Sequence, residues 1–259
     1  MSETKPPIAL SVAGSDPTGG AGLQLDLRVF ERHDVHGMAV ATALTMQTTK
    51  GVHQVLPVFP SVAGEQLHVL LGDILPDAIK IGMLASDDVL LRVAMVLERY
   101  EIPRIVDPVM TASDGSRLLE QRALGNLCER ILPGAALVTP NLSEAEALTG
   151  TRDPEAAARI LLELGVQAAL VKGGHASGPA DDFLLTAEGG CWLRAPRLDR
   201  GPVHGTGCAL SAAIAARVAR GEGIEDAVRG AKDFVGRAIA RAVRIGGGQR
   251  VLRFDDGAA

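Results

Sequence analysis

Aromatic residues and an excess of positive charge are both missing from this sequence. Its 259 residues include only five Phe, one Trp and one Tyr, and 26 basic residues stand against 31 acidic ones, for a net charge of −5. Proteins that bind duplexes normally carry a basic face, and proteins that bind single strands stack bases on aromatic side chains. The composition therefore argues against a nucleic-acid partner and favours a small-molecule ligand.

Cysteine is scarce, and long apolar runs are absent. Cys128, Cys191 and Cys208 are widely spaced and form no CxxC pair, which predicts reduced thiols rather than a disulfide framework. The segment 1–14 is too short and wrongly flanked for a signal peptide. No segment reaches the about 20 apolar residues of a membrane-spanning helix. We therefore expect a cytoplasmic protein with no membrane partner.

Four common catalytic motifs do not occur: GxxxxGK[ST], a complete GxGxxG, HExxH and GxSxG. Their absence argues against a P-loop nucleotide site, a dinucleotide-binding fingerprint, a zinc protease helix and the nucleophile turn of an α/β hydrolase. Any nucleotide chemistry must therefore use a different loop.

Short apolar runs alternate with helical patterns along the whole chain, which is typical of an α/β protein with a mostly parallel sheet covered by helices. Because 47% of its residues are hydrophobic, the chain can bury a large core, and we predict one large domain over 1–259. We predict strands at 8–13, 38–44, 78–81, 104–107, 136–139 and 168–172, and a hairpin over 182–194. We predict helices from about 21, at 61–71 with Ser61 as its cap, and at 87–100, 118–132, 154–164, 205–220 and 224–243. The stretch 45–58 is predicted to be an extended flap over a site.

A small-residue turn, Gly205-Thr206-Gly207-Cys208, precedes an apolar helical pattern. The first N–H groups of a helix have no partner within the helix, and together with the positive end of the helix dipole they attract phosphate. Glycine permits the close backbone approach that such an anion hole needs. The alternative is that the glycines only form a tight turn and Thr206 only caps the helix. These residues alone leave both interpretations open.

Cys208 lies where a helix dipole is expected to lower the pKa of its thiol, which would make it a better proton acceptor. The alternative is a buried structural thiol. Cys128 and Cys191 fall inside apolar helix and strand patterns and are expected in the core.

Polar side chains follow two predicted strands. Asp107 follows one strand, and Asn141 and Glu144 follow the next. Ligands gather at the carboxyl ends of strands in an open α/β sheet, so these oxygens are candidates for a magnesium–phosphate site. Taken singly, Asp107 also fits a turn before proline, and Asn141 with Glu144 fits a helix cap.

Lys172 leaves a predicted buried strand into the loop Gly173-Gly174-His175. A lysine in that place reaches nucleotide phosphates more easily than a lysine on a polar helix face. His175 and His204 are expected to be structural hydrogen-bonding residues, so no metal is placed on them.

Seven stretches together resemble the motif set of the hydroxymethylpyrimidine/phosphomethylpyrimidine kinases of thiamine biosynthesis. In this numbering they are 13–22, 42–48, 80–84, 106–110, 139–141, 172–175 and 204–208. The resemblance extends over 8–239 and implies a ribokinase-like fold with a mostly parallel sheet of about eight strands flanked by helices. It also implies Mg²⁺ and ATP as cofactors, and a homodimer. The implied reaction converts 4-amino-5-hydroxymethyl-2-methylpyrimidine first to its monophosphate and then to its diphosphate.

By the same resemblance, five residues fall at positions of the pyrimidine pocket. They are Gly14, Asp26, Gln47, Met83 and Met110. The amide of Gln47 suits the polar edge of the ring because it both donates and accepts hydrogen bonds.

The resemblance also assigns the phosphate side of the site. It implies that Asp107 and Glu144 bind magnesium and that Asn141, Lys172 and Thr206 bind ATP.

Gly205, Thr206, Gly207 and Cys208 fall at the catalytic positions, with Cys208 at the position that activates the acceptor. Sugar kinases of the superfamily carry Asp there, whereas the pyrimidine kinases and some pyridoxal kinases share the Cys. Val203 stands where the resemblance leads us to expect Thr.

Two other functions stay open. A pyridoxal kinase acts on a similar flat heteroaromatic ring with a hydroxymethyl group, and a non-catalytic protein could use the same pocket to bind a pyrimidine or pyridoxal phosphate. Gln47 and Met83 favour the pyrimidine, and the turn at 205–208 favours catalysis over binding alone.

Overall fold

The computed structural model describes residues 5–112, 114–173, 180–198 and 200–254. The strands, in chain order, are β1 (Ile8–Ser15), β2 (His36–Thr48), β3 (Gly51–Pro57), β4 (Ala78–Ile81), β5 (Arg104–Val106), β6 (Leu137–Val138), β7 (Ala169–Lys172), β8 (Asp182–Thr186), β9 (Gly189–Leu193), β10 (Val203–His204) and β11 (Arg250–Val251). The helices are α1 (Gly22–Glu31), α2 (Pro60–Asp73), α3 (Asp87–Leu97), α4 (Ala123–Asn126), α5 (Leu142–Thr149), α6 (Pro154–Glu163), α7 (Thr206–Ala219) and α8 (Ile224–Ala240). A π-helical turn, Leu127–Ile131, continues α4.

Nine strands form one sheet in the order β3-β2-β1-β4-β5-β6-β7-β8-β9. The six from β2 through β7 in that order run parallel, and β3, β8 and β9 pair antiparallel at the two edges. The predicted α/β fold with a mostly parallel sheet is therefore confirmed. The predicted flap is the hairpin of β2 and β3, and the predicted 182–194 hairpin is β8 with β9. A small parallel sheet of β10 and β11 was not predicted.

Side chains along β1 point alternately to the two faces of the sheet, and the core has two layers as a result. Ile8, Leu10 and Val12 contribute to one buried cluster, which includes residues of α2 and α3, whereas Ala9 contributes to another, which includes residues of α1, α7 and α8. Successive side chains of a strand point to opposite faces, so one apolar strand supplies both layers. Both faces of the sheet are therefore covered by helices.

The predicted 118–132 helix begins late. The backbone N–H groups of Leu118 and Leu119 donate to the carbonyl of Met110, so this stretch pairs with the loop after β5, and helical structure begins at Ala123. Ser61 is not the cap of α2, because Phe59 holds that position and Pro60 opens the helix. Proline suits a first helical position because its φ is already fixed and an N–H there would have no helical partner.

The parallel strands end at one edge, and this edge positions the polar residues that the sequence singled out. Gly82, Asp107 and Thr139 follow directly after β4, β5 and β6, and Lys172 is the last residue of β7. The N-terminus of α7 belongs to the same region, since α7 packs against β1, β4 and β5. Within the described ranges no helix is long and apolar enough to cross a bilayer.

Candidate active site

The N-terminus of α7 is formed by the turn at 205–208. Gly205 is the N-cap residue with φ of +80°, and no side chain caps the helix. A Cβ on Gly205 would overlap the carbonyl oxygen of Gly20, so this position requires glycine for both conformation and space. The interpretation of Thr206 as a cap is wrong, because Thr206 is the first helical residue. The uncapped N–H groups fit the anion-hole interpretation.

Asp107 and Lys172 meet beside this turn. The Nζ of Lys172 lies 2.8 Å from Oδ1 of Asp107, and a Cβ on Gly207 would lie 3.2 Å from that Nζ and 3.7 Å from Oδ2 of Asp107. Thr139 and Ser211 donate further hydrogen bonds to the Asp107 carboxylate. Burial pushes the pKa of Asp107 upward, but the charges of Lys172 and Lys80 hold it below its ordinary value. Asp107 is therefore an ionised residue of the site and not only a turn former.

Asn141 and Glu144 form a capping box at the start of α5. Oδ1 of Asn141 accepts from the N–H groups of Ser143 and Glu144, at 2.9 and 3.0 Å, and Oε2 of Glu144 accepts from the N–H of Asn141 at 2.8 Å. The cap interpretation is thus confirmed, but it does not exclude a second role. Burial raises the pKa of Glu144 to about 7, and the nearby charge of Asp107 adds to the rise.

The backbone brings Asn141 beside Lys172. The N–H of Lys172 donates to the carbonyl of Pro140 at 2.8 Å, and Asn141 pairs with Lys172 in an isolated parallel bridge. The predicted placement of Lys172 at a strand end is confirmed. Gly174 and His175 lie outside the described residues.

Asp26 does not line the ring pocket in the way we expected. It forms a fully buried ion pair with Lys80, at 2.8 Å, and accepts a hydrogen bond from Ser11 at 2.6 Å. The residue lies on the face of α1 that packs on β1, where no surface is exposed. Burial raises the pKa of Asp26 despite the charge of Lys80. Asp26 therefore supports the site from within the core.

The thiol of Cys208 is not activated by the helix dipole, and our expectation of a lowered pKa is wrong. Burial raises its pKa to about 11, and the negative charges of Asp107 and Asp26 add to the rise. Lys80 and the backbone N–H of Gly22 oppose the shift without reversing it. Cys128 and Cys191, which we placed in the core, are partly buried and pack against the two core clusters.

Gly14 and Met83 are in contact. A Cβ on Gly14 would overlap the methyl group of Met83, and Met83 belongs to a small apolar cluster with Ala43. Val109 packs against this cluster, whereas Met110 packs against the large core cluster on the sheet. The structure therefore brings Gly14 and Met83 together but not Met110. The sequence analysis did not assign Val109 to the pocket, although Val109 lies in the 106–110 stretch that follows β5 and belongs to the motif set.

Gln47 and His204 connect the flap to the loop after β1. Nε2 of His204 lies 2.9 Å from Nε2 of Gln47 and 2.8 Å from Oδ2 of Asp16. Burial raises the pKa of Asp16, but hydrogen bonds from His204 and Thr18 bring it below its ordinary value. The structural role predicted for His204 is confirmed. Gln47 and His204 also line a cavity of about 20 Å³.

Lys80 offers a test of the buried charges beneath the site. The change Lys80→Met removes the cation and leaves Asp26 buried without it, so the free energy of unfolding should fall by about 3–5 kcal/mol. Urea denaturation followed by circular dichroism measures this. Arg122, which is exposed and pairs with Asp88 and Glu120, provides the control Arg122→Met, which should change stability little. Equal losses in the two variants would contradict the prediction.

Glu144 offers a test by pH. Its pKa in the folded protein, about 7, lies above the ordinary value of 4.5, so the folded state holds the proton more tightly. This contribution to stability is complete below pH 4.5 and is lost as the pH rises to 7. Glu144→Gln should lack this loss, so its stability relative to the wild type should increase between pH 5 and pH 7. Denaturation with a metal chelator present measures the difference. The exposed change Glu163→Gln should keep the wild-type slope, and a slope unchanged in Glu144→Gln would refute the assignment.

Comparison with known proteins identifies the family of this chain. A family model described as phosphomethylpyrimidine kinase matches residues 16–253. The hydroxymethylpyrimidine/phosphomethylpyrimidine kinase of Streptomyces coelicolor is 42% identical over 94% of this chain and 92% of its own, and that of Bacillus subtilis is 39% identical over 93% and 92%.

Solved structures show the same fold. An ADP complex of Bacillus subtilis pyridoxal kinase superimposes with a TM-score of 0.89 at 31% identity, covering 96% of this chain and 98% of that one. Phosphomethylpyrimidine kinase of Clostridium difficile gives 0.80 at 35% identity, covering 90% and 99%. The resemblance drawn from the motifs is confirmed, and the chain belongs to the phosphomethylpyrimidine kinase family.

Proposed function

We propose that this protein phosphorylates 4-amino-5-hydroxymethyl-2-methylpyrimidine to its monophosphate and then to its diphosphate, with ATP as the phosphoryl donor. The observation that carries the proposal is the meeting of Lys172 and Asp107 at Gly207, beside the uncapped N-terminus of α7. The names of the curated relatives support the same substrate.

The acceptor side of the site holds the ring. Gly14, Met83 and Val109 supply an apolar surface, and Gln47 on the flap supplies the amide that hydrogen-bonds the polar ring edge. The buried pair of Asp26 and Lys80 lies beneath and fixes the position of α1 against the sheet. Met110 packs elsewhere, so Val109 replaces it in this assignment.

The donor side of the site holds phosphate. We expect Lys172, Asn141 and Thr206 to bind the nucleotide phosphates. The ADP and AMP-PCP complexes of Staphylococcus aureus pyridoxal kinase support a nucleotide ligand for a kinase of this fold. Asp107 and Glu144 fit Mg²⁺, because that ion commonly binds through one or two carboxylates together with substrate phosphates. Bound there, the ion would neutralise charge on the phosphates. A cation bound there would favour the ionised carboxylate of Glu144 and lower its raised pKa.

The catalytic step needs stabilisation of the transferring phosphoryl group. The backbone N–H groups around Gly205, Thr206 and Gly207 provide it at the helix N-terminus. The acceptor oxygen forms a bond to the terminal phosphorus of ATP while the bond from that phosphorus to ADP breaks. In the first step the hydroxyl proton must leave the acceptor, and we propose that Cys208 receives it in the small fraction of molecules in which its thiol is ionised. In the second step the acceptor is a phosphate oxygen that is already ionised.

Pyridoxal phosphorylation is the second candidate. Its support is the structural similarity to pyridoxal kinases, with a TM-score of 0.89 at 31% identity for the Bacillus subtilis protein. A non-catalytic binding protein has less support, since it does not need a buried Lys172–Asp107 pair beside an anion hole. A homodimer, a cytoplasmic location and a single domain stay predictions from the sequence.

Product analysis tests the proposal. With Mg-ATP and the hydroxymethylpyrimidine, phosphorus NMR should show first a monophosphate and then a diphosphate of the pyrimidine. Pyridoxal in a parallel reaction can yield only a monophosphate at its single hydroxymethyl group. Asp107→Asn serves as the control that abolishes most turnover. Phosphorylation of pyridoxal without the pyrimidine diphosphate would make the second candidate correct.

Cys208→Ala tests the role of the thiol, because it leaves the backbone of the turn in place. With a pKa of about 11, the thiol is ionised in few molecules near neutral pH, so the first step should speed up as the pH rises from 7 to 9. The variant should lose this pH dependence and up to about 10²-fold in rate for the alcohol acceptor. The rate of phosphorylation of the monophosphate acceptor, whose phosphate has a second pKa of about 6, should fall much less. Single-turnover rates with each acceptor decide it, and equal losses would leave Cys208 with a packing role.

A further inference from the structure

A second, larger cavity lies at the tip of the flap, with a volume of about 340 Å³. Its walls come from three parts of the chain: the turn between β2 and β3, the segment before β10, and the segment before and into β11. The lining residues are Thr49, Lys50, Arg200, Gly201, Pro202, Arg244, Gly247, Gly248, Gln249 and Arg250. None of these residues was placed in the active site by the sequence.

Positive charge dominates this cavity. Four of the lining residues, Lys50, Arg200, Arg244 and Arg250, are cationic, and none of the lining residues is acidic. Arg250 donates to the carbonyl of Ala242 at 3.3 Å, and none of the four cations forms a salt bridge with a described residue. This grouping of four cations does not follow from the overall composition, because the whole chain is acidic with a net charge of −5. A cavity of this kind binds anions.

The cavity is held in place by fixed contacts rather than by loose loops. The carbonyl of Thr49 accepts from the N–H of Gln249 at 2.7 Å, and its hydroxyl accepts from the N–H of Gly248 at 3.1 Å. A Cβ on Gly248 would overlap the carbonyl of Thr49, and one on Gly247 would lie 3.0 Å from Cε of Lys50. The glycines therefore let the flap tip dock on this segment and bring Lys50 to the cavity.

The cavity adjoins the acceptor side of the active site. Thr49 and Gln249 line both this cavity and the small one that Gln47 and His204 line. Pro202 leads through β10 directly into Gly205. A molecule bound at Gln47 therefore has the cationic cavity next to it.

We propose that this cavity binds the phosphate group of phosphorylated pyrimidines. The inference rests on the proposed function, in which the acceptor gains phosphate at each step. The unphosphorylated pyrimidine carries no phosphate, whereas its monophosphate and diphosphate are the anions that guanidinium and ammonium groups bind through charge-assisted hydrogen bonds. Phosphate of a nucleotide has the same chemistry, but the shared walls with the Gln47 cavity favour the pyrimidine as its source.

The test is the double variant Arg200→Gln/Arg244→Gln. Both side chains are exposed, so the fold should be retained. Titration calorimetry should show the dissociation constants of the pyrimidine monophosphate and diphosphate raised by about five- to tenfold, with a weaker dependence on salt. Binding of the unphosphorylated pyrimidine and the single-turnover rate of its phosphorylation should not change.

The matched control is Arg32→Gln/Arg99→Gln, which removes the same charge from exposed sites away from the cavity. Equal dissociation constants for the phosphorylated pyrimidines in the double variant and the control would overturn the proposal. Weaker binding of ADP alone would also overturn it and assign the cavity to the nucleotide. Inorganic pyrophosphate separates this inference from the proposed function. If the wild type does not phosphorylate the pyrimidine but binds pyrophosphate more tightly than the double variant does, the function fails and the anion site stands.

Discussion

The ion pair between Asp107 and Lys172 is the interaction on which the rest of the site depends. Its partners stand at the ends of β5 and β7, with β6 between them, so parallel strands of one sheet must be in register for the pair to form. Thr139 after β6 bonds to the same carboxylate. Gly207 leaves the room that the pair occupies against the N-terminus of α7. The carboxyl edge of the sheet and the anion hole at the start of α7 are therefore joined by the same ion pair.

Charge balance explains the unusual ionisation of this region. Two lysines, Lys80 and Lys172, lie close to three carboxylates, Asp26, Asp107 and Glu144, so full ionisation would leave 2 − 3 = −1 in a buried place. Glu144 is deeply buried and lies near the charge of Asp107, and its raised pKa is the result. Burial, together with the charges of Asp107 and Asp26, keeps the thiol of Cys208 protonated, because a thiolate would add a further negative charge. A bound cation would favour the ionised forms of both Glu144 and Cys208.

The fold alone does not decide which ring the enzyme phosphorylates. Pyridoxal kinases share this architecture over nearly the full chain, and the phosphate side of the site has no reason to differ between two alcohol acceptors. Discrimination must come from the few groups that face the ring, which in the proposed site are the Met83 cluster and the Gln47 amide. The cationic cavity adds a second criterion, since it distinguishes phosphorylated from unphosphorylated acceptors by charge.

Features that depend on neighbouring residues could be predicted from the amino-acid sequence. Apolar runs predicted the strands, and small residues before an apolar pattern predicted a helix that begins near Gly205, whereas whether Thr206 caps it stayed open. The polar residues at strand ends predicted a shared edge, because parallel strands end together. The motif set predicted the family, because its stretches extend over most of the chain.

Properties that depend on residues distant in the chain could be read from the folded protein alone. The pKa of Cys208 follows from burial near Asp26 and Asp107, so the local rule for a helix N-terminus gave the wrong sign. Asp26 pairs with Lys80, 54 residues away, and so belongs to the core. The cationic cavity collects residues from three separate segments, none of which is basic enough alone to mark a site. Burial and long-range charge are properties of the folded arrangement, and no local pattern contains them.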